Sequence, residues 1–256
     1  MGMTPWMAEL IGTALLVLFG NGVVANVLLP QTKGNNSGWI VIAAGWGLAV
    51  YTGAFCSEKH SGAHLNPAVS IAMLVVGKLS LTQTIGYIVA QCIGAFIGAS
   101  LVYLFYREHF KVAHDRDAKL ACFCTAANIK NHRQSFFCEL VGTYVLILPI
   151  LLMIAPTLDL SSLAATASTA SEAKIGMGSL GLLPVALLVV GIGLSLGGTT
   201  GYAINPARDL IPRLVHEILP IPGKGSSHWD YAWVPVAGPL AGAVLAALTY
   251  KILLAS

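Results

Sequence analysis

Two tripeptides, Asn66-Pro67-Ala68 and Asn205-Pro206-Ala207, carry the residue types in this chain best suited to act on a passing molecule. Asn is a favoured helix N-cap and Pro a favoured first helical residue. Each pair predicts a helix start, and each heads an apolar stretch too short to cross a bilayer. A helix start presents unpaired backbone N–H groups and a partial positive charge. In hydrocarbon these can face only buried protein or a water-filled cavity. Two such starts, one per half of the chain, predict a polar path through the membrane centre. The Asn side-chain oxygen is expected to accept a first-turn N–H, which leaves its NH2 free to donate into the path. A water or hydroxyl oxygen at the centre would accept from both amides. The converging positive helix ends would repel hydronium and metal cations.

The residues around the tripeptides extend this chemistry. Backbone carbonyls of Gly62, Ala63, His64 and Leu65, and of Gly201, Tyr202, Ala203 and Ile204, are expected to line one wall. Gly62 and Gly201 permit backbone that other residues resist. With an aliphatic wall opposite, the path suits a linear polyol better than an ion, whose whole hydration shell one wall cannot replace. Arg208 follows the second tripeptide. An Arg near a helix end can snorkel to the interface, but intramembrane charges usually line aqueous paths. Its five donors would bind permeant hydroxyls and repel cations. Glu9 and Glu139 are expected to accept backbone N–H bonds from the loops rather than relay protons, since no chain of ionisable partners accompanies them. His64 is expected to brace its loop, with its backbone carbonyl as the functional part.

The elements that position these residues follow from charge and hydropathy. Of 256 residues, 14 are Lys or Arg and 11 Asp or Glu, and 56% are hydrophobic; a soluble domain carries about 25% charged residues. Uncharged runs cover Trp39 to Ser57, Leu79 to Tyr106 and Tyr231 to Tyr250. Trp6 to Leu29 is broken only by Glu9, and Gln134 to Leu158 only by Glu139. The run from Ile175 to Ala207 holds one span and a loop. At about 20 apolar residues per crossing, six full spans are predicted. The first run is too long for a signal-peptide core and reads as a retained span. Nothing in the charge balance implies a nucleic-acid partner. No nucleophile–base pair, metal motif or phosphate loop implies an enzyme.

The chain also repeats itself. Ala8-Glu9-Leu10-Ile11-Gly12-Thr13 is echoed by Cys138-Glu139-Leu140-Val141-Gly142-Thr143. The tripeptides follow at similar distances, and Gly94/Gly98 is echoed by Gly238/Gly242. One repeat covers about 4–110 and the other about 134–254, joined by a connection over 107–134. Three spans per repeat make the second enter from the opposite face. The short helices then dip in from opposite sides and meet. The first is predicted over Asn66 to Gly77, or about 18 Å. The Gly-xxx-Gly pairs predict close backbone packing. Of the five cysteines, Cys56, Cys92 and Cys138 lie in or beside spans, which suits packing better than a disulfide framework. The connection contains Cys122, Cys124, His109, His114 and His132. Their spacing is not that of a zinc site, and this segment is expected to fold over the mouth of the path. Residues 159–174, rich in Ala, Ser and Thr, read as a flexible connector.

The segments Ser61-Gly62-Ala63-His64-Leu65-Asn66-Pro67-Ala68 and Gly201-Tyr202-Ala203-Ile204-Asn205-Pro206-Ala207-Arg208-Asp209 resemble the major intrinsic protein (aquaporin) family, and the likeness runs from Glu9 to the last span. It implies an all-α membrane protein of six transmembrane helices plus two re-entrant half-helices, forming a single channel domain. It also implies one pore per chain, usually in a homotetramer, and no cofactor or metal. A filter near the outer mouth would comprise Trp46, Gly193, Tyr202 and Arg208. Trp and Gly at the first two positions, with Asp209 after the Arg, resemble the glycerol-facilitator branch; water-selective members tend to have Phe and His there. Tyr202 departs from the Phe common in bacterial glycerol facilitators. The implied function is passive conduction of glycerol, water and other small neutral solutes such as polyols or urea, without ions or protons. A mainly water-selective channel is the alternative, and a coupled transporter stands far behind. The resemblance implies a multi-pass protein of the plasma (inner) membrane with both termini cytoplasmic. Against that orientation, six Lys or Arg lie in the 107–134 connection, and only Lys59, Lys78, Lys174 and Lys251 in the segments implied to be inner.

Overall fold

The computed structural model describes residues 2–154, 157–159, 172–174 and 176–255. Helix α1 spans Pro5–Leu28 and starts where Thr4 accepts the Met7 N–H and Pro5 sets the first turn. Helix α2 spans Trp39–Ser61 and ends at Gly62, whose φ of 81° turns the chain out of the helix. A short helix α3, Pro67–Val75, follows. Helix α4, Leu81–Phe105, begins with a reciprocal Ser80–Gln83 capping box. Two short helices, α5 (Arg107–Val112) and α6 (Arg116–Ala121), form the connection. Helix α7, His132–Leu152, is capped by Asn131. A 3₁₀ turn, Gly178–Leu182, leads into α8, Leu183–Ser195. Helix α9 spans Pro206–Ile218 and α10 spans Val234–Ala255.

Six of these segments are long and apolar enough to cross a membrane: α1, α2, α4, α7, the 3₁₀ turn with α8, and α10. They coincide with the charge-poor runs. Their outward faces carry exposed apolar side chains such as Leu48, Leu104, Phe105 and Leu187. Hydrocarbon would solvate these as readily as protein does. The all-α architecture has one addition among the described residues. Strands β1 (Thr157–Asp159) and β2 (Glu172–Lys174) pair antiparallel, with Thr157 opposite Lys174. The rest of the expected 159–174 connector lies outside the described residues.

Helix α1 packs along α2 and α4, and α7 packs along α10. The predicted glycine pairs sit in these seams. A Cβ on Gly94 would collide with the Leu10 carbonyl oxygen, and one on Gly242 with that of Leu140. Both short helices rest on α4 and α10, so each is supported by both repeats. The first is shorter than predicted. It stops at Val75 because Gly77, at φ 77°, reverses the chain and the Lys78 N–H returns to the Met73 carbonyl. At 9 and 13 residues, the two short helices measure about 14 and 20 Å. Together they span roughly one hydrocarbon core of about 30 Å.

Candidate functional site

The two loops that lead into α3 and α9 share one unusual backbone. Gly62, Ala63 and Leu65 have φ of 81°, 52° and 51°; Gly201, Tyr202 and Ile204 have 84°, 38° and 43°. Positive φ is unfavourable for residues with a Cβ and persists only where the surroundings impose it. Two carboxylates impose it here. Glu9 Oε1 accepts the His64 N–H at 2.9 Å and the Ser61 hydroxyl at 2.6 Å, and its Oε2 accepts the Leu65 N–H at 2.7 Å. Glu139 Oε1 accepts the Ala203 N–H at 3.0 Å and the Thr200 hydroxyl at 2.7 Å, and its Oε2 accepts the Ile204 N–H at 2.9 Å. Both carboxylates are buried. His64 bonds through Nδ1 to the Ser70 hydroxyl at 3.1 Å, with its ring edge-on to Tyr87.

At the helix starts, Asn66 Oδ1 accepts the Ala68 N–H at 2.8 Å. Asn205 Oδ1 accepts the N–H groups of Ala207 and Arg208 at 3.1 and 3.2 Å. Pro67, Ala68, Pro206 and Ala207 are buried around these caps. The amides also cross between repeats. Asn66 Nδ2 donates to the Ile204 carbonyl at 2.8 Å, and Asn205 Nδ2 to the Leu65 carbonyl at 2.8 Å. The sequence predicted that each NH2 would be free. In the structure one of its two hydrogens is taken by the opposite loop, which fixes the amide and leaves one hydrogen for the path.

A cavity of about 300 Å³ runs past both amides. Gly62–Leu65 and Tyr202–Ile204 of the two loops line it, and Leu16, Val50, Val69, Leu146 and Val189 are among its apolar lining residues. It reaches from Glu58 to Trp46 along α2, about 18 Å of helix. Trp46, Tyr202 and Arg208 line it at the Trp46 end. Gly193 and Gly201 do not line it. A Cβ on Gly193 would lie 2.9 Å from the Tyr202 ring, so the space its missing side chain leaves is filled by that ring. A Cβ on Gly201 would face Thr125 at 3.2 Å.

Some residues of the site escape a sequence reading. Gln91 Nε2 donates to Glu9 Oε2 at 2.8 Å and to Ser70 at 3.1 Å; its only signal was a polar side chain in an uncharged run. Asp209 does not face the cavity. Its Oδ2 accepts the Thr125 N–H and hydroxyl at 2.7 and 2.6 Å, and its Oδ1 accepts Arg213 Nη2 at 2.7 Å. Arg213 also donates to the carbonyls of Thr125, Ser227 and His228. The Asp209–Arg213 spacing is that of a helix ion pair, and that signal was legible. Thr125 thus ties the 107–134 connection onto α9, beside Arg208. In the connection, Cys122 and Cys124 are buried, and burial raises both thiol pKa values. Among the described residues, no group of three His, Cys, Asp or Glu is placed to hold a metal ion.

Comparison with known proteins bears on what this arrangement conducts. Residues 3–250 match the sequence model of the family described as Major intrinsic protein. The chain is 47% identical to the probable glycerol uptake facilitator protein of Thermotoga maritima, over 97% of this chain and 99% of that one. It is 46% identical to the glycerol uptake facilitator protein of Streptococcus pneumoniae, over 98% and 99%. The solved structure of the aquaglyceroporin from Plasmodium falciparum superposes with a TM-score of 0.77 at 32% identity, covering 97% of this chain and 95% of that one.

Proposed function

The chain belongs to the major intrinsic protein family, and from that premise we propose that it is a passive transmembrane channel for glycerol and other small neutral solutes, water among them. The observation that carries this is the cavity running past both Asn tips, lined by residues of both re-entrant loops and by aliphatic side chains. The relatives' names supply the solute class. Hydroxyls exchange water for carbonyls and for the remaining amide hydrogens, while the carbon backbone slides on the apolar wall. An ion finds replacement ligands on one side only and faces two positive helix ends. The family comprises channels and facilitators, and no enzymatic step enters this reading.

Trp46, Gly193, Tyr202 and Arg208 form its selectivity filter. Gly193 acts by admitting the Tyr202 ring, which makes the corner aromatic. The whole chain is one channel domain embedded in lipid, assembled as a homotetramer, and urea and other small polyols are candidate solutes. Both termini face the cytoplasm and the 107–134 connection lies outside. The cations of that connection do not oppose this orientation as strongly as their number suggests. Lys111 pairs with Glu108 at 2.6 Å, and Lys119 is buried against the Pro222 carbonyl. Burial, with Arg116 nearby, lowers the Lys119 pKa.

Purified protein in proteoliposomes should equilibrate glycerol rapidly in stopped-flow light scattering, without ion current. Gly193→His should abolish glycerol flux and retain some water flux, because the imidazole displaces the Tyr202 ring. A mainly water-selective channel would tolerate that substitution. Glycerol flux no greater than in empty vesicles would overturn the reading.

A further inference from the structure

We propose that Trp39, whose side chain lies outside the path, is a positioning residue that limits how wide a solute the path admits: its indole holds the end of α8 and closes the slot in which the Tyr202 ring is seated. This rests on the channel reading above and adds to it a residue that acts on specificity without touching the solute. Trp39 is the first residue of α2, which has no side-chain cap at Gly38. Its Nε1 donates to the Gly193 carbonyl at 2.8 Å. It does not line the cavity.

The bond answers a need of α8. The last carbonyls of a helix lack an intrahelical donor. In α8, which ends at Ser195, the Leu196 N–H closes onto Ile192, and the Gly193 carbonyl takes a donor from α2. A Trp at a membrane interface ordinarily keeps its N–H in the polar layer. The Trp39 indole is 40% exposed, yet its N–H is turned onto the protein. The slot beside it is close-packed. A Cβ on Gly197 would lie 2.4 Å from Tyr202 Cδ1, 2.6 Å from the Gly193 carbonyl oxygen and 2.9 Å from Trp39 Cζ2. These three groups meet at one point, and the Tyr202 ring stands edge-on to the indole, with centres 5.8 Å apart.

The Tyr202 ring is placed by packing and not by its hydroxyl, which is buried and has no hydrogen-bond partner among the described residues. Gly193 and Gly197 bring no side chain to the slot. Trp39 packs against the ring without lining the path, so it backs the ring and does not face the solute. Without the indole, the ring can withdraw into the space it vacates, and the path widens. Loss of the N–H alone frees the end of α8 and loosens the slot less. Removing a side chain that no solute touches should therefore admit wider polyols.

The test measures two solutes in proteoliposomes of the full-length protein: glycerol, and the wider, branched tetraol pentaerythritol. The ratio of pentaerythritol to glycerol permeability should rise severalfold in Trp39→Leu. It should rise less in Trp39→Phe, which keeps a ring and loses the N–H. In a Tyr202→Leu background, Trp39→Leu should leave the ratio where Tyr202→Leu alone puts it, because Trp39 acts through that ring. A mere interface anchor would scale both fluxes together. An unchanged ratio in both Trp39 variants, or an equal rise in the Tyr202→Leu background, would overturn the proposal. Trp39→Phe decides by itself where Trp39→Leu yields no folded channel. Absence of glycerol conduction by the unsubstituted protein would instead defeat the channel reading.

Discussion

The two re-entrant segments share one frame and differ in their content. Counted from each Asn, Ser61 matches Thr200, Leu65 matches Ile204, and Glu9 does for the first loop what Glu139 does for the second. Past the helix starts the match ends. Val69 stands where Arg208 does, Ser70 where Asp209 does, and Leu74 where Arg213 does. Helix α3 carries no charge and is held by packing, with Ser70 bonded to His64 and Gln91. Helix α9 buries an ion pair and is tied to the connection through Thr125. The walls of the path need two-fold agreement, because each Asn amide must find the opposite loop. The filter proposed at Arg208 needs only one copy of the charge, and a second Arg facing the first would repel it.

The largest effect is expected where the repeats differ most. Arg213→Leu leaves Asp209 buried and unpaired and should destabilise the protein by about 3–5 kcal/mol in thermal unfolding in detergent. Adding Asp209→Ser reproduces the residues of α3 and should recover more than half of that loss. A double variant no better than the single one would mean that α9 cannot be held by packing as α3 is.

The shared frame predicts a smaller and balanced effect. Glu9→Gln and Glu139→Gln each turn an acceptor oxygen into an NH2 group facing backbone donors, and each should destabilise by about 2–3 kcal/mol. Glycerol flux should fall in both. Losses differing by more than the smaller of the two would refute the equivalence of the two braces.

The smallest effects belong to the outer ends of the short helices. Lys251 Nζ donates to the Val75 carbonyl at 3.2 Å. Lys224 Nζ donates to the carbonyls of His216, Glu217 and Leu219. Cations there oppose the negative helix poles, and Lys251→Met and Lys224→Met should each destabilise by less than about 1 kcal/mol. Lys224 should matter more, because it is half-buried and serves three carbonyls. The reverse order would show that α3 depends on its cap more than its packing suggests.

The glycine seams were legible because a missing side chain between apolar helices has few other uses, and Glu9 and Glu139 because a charge inside a span must meet partners. The far end of α3 was not: Gly77 reverses the chain only in combination with the return of the Lys78 N–H to Met73. The role of Gly193 was half legible. Its vacancy is visible in the sequence, but that the ring of Tyr202, and not a solute, fills it depends on how α8 lies against the loop.

Composition and repetition by themselves determined that the chain crosses a membrane six times and turns back twice within it, because uncharged runs have no stable alternative to helix in lipid and an Asn-Pro start has no partner there but another polar group. The crossed bonds from Asn66 and Asn205, the burial of Asp209 away from the path, and the seat of Arg208 on Trp46 were decided only by tertiary structure. Each depends on the distance between residues far apart in the chain, and the angles at which six helices pack set those distances.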